Sequence, residues 1–157
     1  MLGLMASLAN YVRSRSADTL TRQLLGRLQA ILAEYHGPEY DSLQAALRSV
    51  PPLIGSERDA RDEAALRGRA QRNSTEFVRI FRQKTRPAVF QGLPAALYDQ
   101  TMLRDAWGTP VVYFHPGAAN IDIAPQQRAF FLSAGPDRKF ITTRDNLYSY
   151  DERPWER

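Results

Sequence analysis

From Leu8 onward the apolar residues Leu8, Val12, Leu20, Leu24, Leu28, Ile31, Leu32 and Tyr35 keep mostly three- and four-residue spacings. That pattern lines them along one stripe of a helix. No proline occurs before Pro38, and Gly26 is the only glycine between Gly3 and Gly37, so one long helix is predicted over residues 1–35. Its polar side carries good helix formers, Arg22, Gln23, Arg27 and Gln29. His36-Gly37-Pro38 supplies the stop, a glycine for the left-handed cap followed by a proline that cannot continue the ladder. Such a helix is about 50 Å long. A globule of this chain length is ~30 to 40 Å across, so one end is expected to project.

The projecting end should be the first one, where Met1-Leu2-Gly3-Leu4-Met5-Ala6 is apolar all round. Three readings of that run stay open: the cut end of a transmembrane or signal segment, a helix end docked on its own domain, or an oligomer contact. The run is far short of the ~20 apolar residues a span needs. It also lacks the basic region of an intact signal peptide.

Beyond the break, Leu43, Ala46, Leu47 and Val50 mark a short amphipathic helix, capped by Asp41 or Ser42 and ended by Pro51-Pro52. Residues 55–62 are charged and aperiodic, and 64–72 read as either loop or weak helix. Asn73 with Glu76 has the form of a capping box, which predicts a helix burying Phe77, Ile80 and Phe81 and ending before Pro87. Leu93-Pro94, Leu97-Tyr98 and Met102-Leu103 form a turn-rich apolar connection. The period then changes: Val111-Val112-Tyr113-Phe114, Ala129-Phe130-Phe131-Leu132-Ser133 and Leu147-Tyr148-Ser149-Tyr150 read as three short strands between turns. Helices first and strands last predict an α+β fold, with a small antiparallel sheet against the long helix. The expected organisation is one domain over 1–157, with the helix at 1–35, a helical and loop insertion at 36–104 and a β-rich region at 105–157.

Composition changes this picture in two places. The 157 residues include no cysteine, which excludes disulfides, thiolate zinc sites and cysteine nucleophiles. The net charge of +4 is uneven: residues 58–86 hold nine basic and four acidic side chains, whereas 105–157 hold six and seven. A basic surface of this kind can steer toward anionic lipid or nucleic acid, but solvated helix faces are often as rich in arginine. No aromatic ladder or recognition-helix motif accompanies the arginines.

Candidate chemistry is sparse. No phosphate loop, dinucleotide glycine pattern or HExxH is present. His36 falls at a helix end and His115 beside a turn, which suits turn or surface duty better than ligation. Ser133-Ala134-Gly135 is not an esterase elbow, and Asp137 with Asp145 makes a weak glycosidase pair. No enzyme is therefore expected. Residues 137–146 are of more interest, because Asp137, Asp145 and Asn146 can converge if the loop folds back, joined by carbonyls near Ala134 and Pro136. Those are the hard oxygen ligands that calcium prefers, although Asp and Asn are also ordinary turn residues.

Asp105-Ala106-Trp107-Gly108-Thr109-Pro110, the strand after it, Phe131-Leu132-Ser133-Ala134-Gly135-Pro136-Asp137 and Asp145-Asn146-Leu147-Tyr148-Ser149-Tyr150 resemble the C-terminal part of the major pseudopilins of bacterial type II secretion and related type IV pilin-like proteins. The first helix matches by architecture and register; residues 41–104 carry little of the likeness. The resemblance implies a pilin-like fold and a structural subunit of a filament that supports protein export. It implies partners among other pseudopilin subunits, and a single-pass anchor in the bacterial inner membrane with the globular part in the periplasm. Residues 1–5 then match the end of the membrane half of the helix, and without the rest of that half the chain is expected to be monomeric. The assembly stripe is expected at Leu8, Val12, Leu20, Leu24, Leu28 and Ile31.

The family's calcium loop, carried over, places ligands at the carbonyls of Ala134 and Pro136 and at Asp137. Its acidic pair falls on Arg144-Asp145, or on Asp145-Asn146 if the loop is one residue longer. Arg138 and Ile141 stand where the family often has glycine, and Arg144 or Asn146 replaces an acidic ligand. The alternative to a filament subunit is a binding module that uses the basic 58–86 surface.

Overall fold

A computed structural model describes residues 2–56, 58–120 and 126–150, with side chains described from Arg13 onward except at Pro87. The first helix, α1, spans Leu2–Ala33. The chain turns through Glu34 and Tyr35 and enters α2, Gly37–Leu47, with His36 as the residue before the first turn and Pro38 inside it. The predicted stop is there, with Gly37 at φ +60°, but it also starts the next helix. Asp41 and Ser42 therefore lie inside α2 and are not its caps. Proline near the first position leaves no intrahelical donor to lose, so the helix can begin that early.

The larger departure is α3, Glu63–Lys84, whose 22 residues absorb the stretch read as loop or weak helix. Its cap is Asp62, whose Oδ1 accepts from the backbone N–H of Ala64 at 3.0 Å and of Ala65 at 3.3 Å. Asn73 does not start a helix. It sits in mid-helix and is 1% exposed.

Strands β1 (Val112–Phe114), β2 (Phe130–Ser133) and β3 (Leu147–Tyr148) form one antiparallel sheet in the order β1-β2-β3. Val112 pairs with Leu132, Tyr113 with Phe131 and Phe114 with Phe130; Leu132 and Ser133 then pair with Tyr148 and Leu147. All the strand residues of β1 and β2 are buried because both faces of the sheet are covered. On one face Tyr113, Phe131 and Leu147 pack with Leu24, Leu28 and Ile31 of α1 and with Phe77 and Phe81 of α3. On the other, Val112, Phe114, Phe130 and Leu132 pack with Leu53, Leu66, Ala70 and Phe140.

Helix α3 thus belongs to both layers. Its first half covers one face, its second half covers the other, and its middle crosses the open edge of β1. At the crossing, Asn73 behaves as a piece of strand: its Oδ1 accepts from Tyr113 N at 2.7 Å while its Nδ2 donates to Tyr113 O at 2.8 Å and to Pro51 O at 2.8 Å. Ser74 does the same for Leu103, its hydroxyl donating to the carbonyl and accepting from the amide, both at 3.0 Å. An open strand edge otherwise exposes such groups, and buried backbone groups need partners. Residues 36–104 thus contribute to the core on both faces of the sheet.

Candidate functional site

The sequence points to two places, the first helix and the loop after β2. Along α1 the described side chains divide at Thr21. From Arg13 to Leu20 each is exposed or half-buried; from Thr21 the stripe of Thr21, Leu24, Leu25, Leu28, Ile31 and Leu32 is buried. Polar side chains fix the seam: Thr21 Oγ1 accepts from Ala106 N at 3.0 Å, and Gln29 donates to Ala129 O at 3.2 Å while accepting from Ser149 Oγ at 2.7 Å.

This corrects part of the assembly stripe. Leu24, Leu28 and Ile31 are 2%, 1% and 8% exposed, so they belong to the chain's own core and present nothing to a partner. The spacing that would suit a neighbouring helix suits a sheet equally, and here the sheet takes it. Leu20, 38% exposed, is left for contact, whereas the side chains of Leu8 and Val12, like residue Met1, lie outside the described set. Among the described residues no helix is long and apolar enough to cross a membrane.

The two motif segments of the C-terminal third meet at Asp105, which is 1% exposed. Its Oδ1 accepts from Trp107 N at 3.0 Å and Thr109 N at 2.8 Å, and its Oδ2 from Ser133 Oγ at 2.7 Å. Gly108, at φ +85°, lets the chain make that turn. Ser133 Oγ in turn accepts from Gly135 N at 3.1 Å, which carries the connection into the loop. Burial pushes the Asp105 carboxyl above its ordinary value, against the opposing pull of Ser133, Thr109, Trp107 and Arg138.

The two ends of the loop touch. Gly135 is at φ +73°, and a Cβ built on it would stand 1.9 Å from the carbonyl oxygen of Asp145. Glycine is required there on both counts. Asp137 Oδ1 accepts from Lys139 N at 2.8 Å, closing a turn whose next residue, Arg138, has φ +60°. That is the left-handed region, which favours glycine. Phe140 is fully buried, and Asn146 Nδ2 donates to its carbonyl at 3.1 Å. Asn146 Oδ1 is buried with no hydrogen-bond partner.

In chemical kind this donor set fits a hard cation. Asn146 supplies a buried, unpartnered amide oxygen, the residue before it in sequence is the half-buried Asp145, and Asp137 uses one carboxylate oxygen in its turn. Among the described residues no three His, Cys, Asp or Glu side chains cluster as a metal group, so carbonyls such as those of Ala134 and Pro136 would have to complete the shell. His36 is the residue before α2 and makes no side-chain cap, and His115 Nδ1 lies 2.9 Å from Pro116 O.

Four of the nine basic side chains in residues 58–86 are engaged with their own chain. Arg69 pairs with Asp59 at 2.8 Å, Arg79 pairs with Glu76, Arg67 donates to Arg138 O at 3.0 Å and Arg82 to Gln100 O at 3.1 Å. Lys84 and Arg86 line a cleft of about 1040 Å³ together with Arg27, Glu34 and Glu39, so its charge is mixed.

Sequence reasoning missed Glu63, Arg67, Asn73, Ser74 and Asp105. The signal for α3 was present: Asp62-Glu63 is a cap with an acidic first turn, followed by Leu66, Ala70 and Phe77 at helical spacing. No pattern announces an asparagine that pairs with a strand edge. Comparisons with protein-family models, curated proteins and solved structures find no match to this chain.

Proposed function

We propose that this chain is a structural subunit of a type II secretion pseudopilus or a related pilin-like filament, and that it supports protein export by assembling with copies or relatives. The observation that carries the reading is the division of α1. One helix of 32 residues gives its second half to the core of its own domain, while the described part of its first half is surface with no sheet beneath it. A subunit that stacks through one end of a helix and displays a folded head at the other needs that division. In this reading the partners are other subunits of the filament, and the head lies outside the cytoplasm, tethered to the inner membrane.

The same reading gives the loop a role. Ala134 and Pro136 through carbonyls, with Asp137, Asp145 and Asn146, would hold a calcium ion, whose chemistry is to cross-link the loop ends and favour the folded state. The binding-module alternative has less support, because four of the arginines that would form its surface, Arg67, Arg69, Arg79 and Arg82, hold carboxylates or carbonyls of this chain.

The test is deletion of the gene in its own cells, followed by inventory of exported proteins. Loss of a set of them is expected, restored by the parent gene and not by Leu20→Glu. Full export without the gene would overturn the proposal.

A further inference from the structure

Glu63 and Arg67 stand four residues apart on α3, which puts them on one face of the helix. The carboxylate of Glu63 accepts from two consecutive amides of the loop, Oε1 from Phe140 N at 3.0 Å and Oε2 from Ile141 N at 3.1 Å. Arg67 donates to the carbonyl of Arg138 at 3.0 Å. Two successive N–H groups aimed at one anion make a backbone nest, usually a site for a bound anion. Here the anion belongs to the chain. Between these bonds the Phe140 ring, fully buried, joins the same core as Leu66 and Ala70 of α3.

We infer that Glu63 and Arg67 are a latch that fixes residues 138–141 on α3, so that the order of the loop is set by the chain itself and any cation at the Asn146 end adds to it. The inference stands apart from the filament reading. Charge-assisted bonds to a carboxylate are stronger than neutral ones, and the latch makes two of them at the middle of the loop, away from the Gly135–Asp145 contact at its ends. It also assigns work to the helical region: α3 pins the strand edge with Asn73 and the loop with its first turns. The latch fixes Ile141, 40% exposed, and the exposed Arg138 and Lys139 in one arrangement on the surface.

Hydrogen exchange at single amides tests this, paired with brief trypsin digestion, since Arg138, Lys139 and Arg144 are cleavage sites within the loop. Glu63→Gln should speed exchange at Phe140 and Ile141 by ~10-fold or more and open the loop to trypsin. The Tyr113 amide, held by Asn73, should be unchanged, and the parent's protection should persist in chelator. Glu76→Gln, an acid on the same helix that pairs with Arg79, should do nothing to the loop. Unchanged exchange in Glu63→Gln would overturn the latch, as would loss of the parent's protection on removing calcium. Should Glu63→Gln speed Tyr113 as well, it has loosened the whole fold and Arg67→Met decides: faster exchange in the loop alone supports the latch, and an unaltered loop refutes it.

Discussion

Two buried asparagines mark two regions built on different terms. Asn73, at the edge of β1, uses both ends of its amide, donating to Pro51 and Tyr113 and accepting from Tyr113. Asn146, at the end of the loop, donates to Phe140 O and leaves its oxygen buried and unpartnered. The first junction is complete within the chain and behaves as structure. The second has a buried atom to spare, which is where a ligand or a changeable state finds a place. A buried polar group is worth little when satisfied and costs much when orphaned. Disturbing the two regions should therefore give unequal effects.

The largest effect is expected at the hinge of the loop. Gly135→Ala would drive a Cβ into the Asp145 carbonyl at 1.9 Å, and backbone cannot swing aside as a side chain can. Adding the cost of a positive φ, the loss should be roughly 3 kcal/mol or more, read from the midpoint of chemical denaturation. A Gly135→Ala protein as stable as the parent would show that the loop ends do not touch.

Asn73→Ala comes next. It would leave the amide and carbonyl of Tyr113 and the carbonyl of Pro51 without partners at a buried edge, a cost of about 3 kcal/mol. For a domain of this size the melting temperature should fall by ~10 °C. The same change at Asn146 removes the orphan oxygen but takes the donor from one carbonyl, that of Phe140, against three groups stranded by Asn73→Ala, so a smaller loss of ~1 kcal/mol is expected. Equal losses at the two positions would break the comparison. If a calcium ion uses the Asn146 oxygen, millimolar calcium should raise the parent's melting temperature and leave Asn146→Ala unmoved.

The acid range sharpens the contrast through two aspartates of opposite sign. Burial raises the Asp105 carboxyl above 3.8, so its contribution to stability is present below that pH and is lost as pH rises through the folded value. Asp99, more exposed, is held well below its ordinary value by the Thr101 hydroxyl, by Arg104 and by the amides of Met102 and Thr101. Its contribution is present above 3.8 and lost as pH falls. Melting temperature across this range should therefore show the advantage of the parent over Asp105→Asn shrinking as pH rises, and its advantage over Asp99→Asn shrinking as pH falls. Parallel curves would contradict both assignments.

A small gain in place of a loss is expected at Arg138, whose φ of +60° suits glycine. Arg138→Gly should gain up to about 1 kcal/mol from relief of the left-handed conformation, because Arg67 holds the carbonyl of residue 138 and not its side chain, less what the side chain's attraction to Asp105 contributes. Destabilisation would mean that the side chain has a structural role.

What was legible in the sequence follows the same division. The long helix, the α+β class and all three strands were readable because hydrophobic period reports burial directly. Observed strands differ from the expected ones only by a residue or two at their ends. The residues that join those elements were not readable. Asn73 looks like a cap because asparagine usually is one, and only the position of β1 turns it into a strand partner. Leu24, Leu28 and Ile31 show the converse limit, since a stripe announces that a face is covered without saying by what. In the loop, residues 135 and 145 touch, a contact no pattern announces, and the carboxylate that holds the middle of the loop comes from Glu63, 77 residues away in sequence.

In the filament reading this chain meets copies or relatives through the part of α1 up to Leu20. The chain has no cysteine, so single cysteines report contacts without background. Ser14→Cys and Leu20→Cys should be placed in the native gene product, with Thr75→Cys on exposed α3 as the control, and intact cells treated with a thiol-bridging reagent. The account predicts covalent dimers and larger species from the two α1 positions and monomer from Thr75→Cys. Monomer at both α1 positions, or an equal yield from α3, would contradict it.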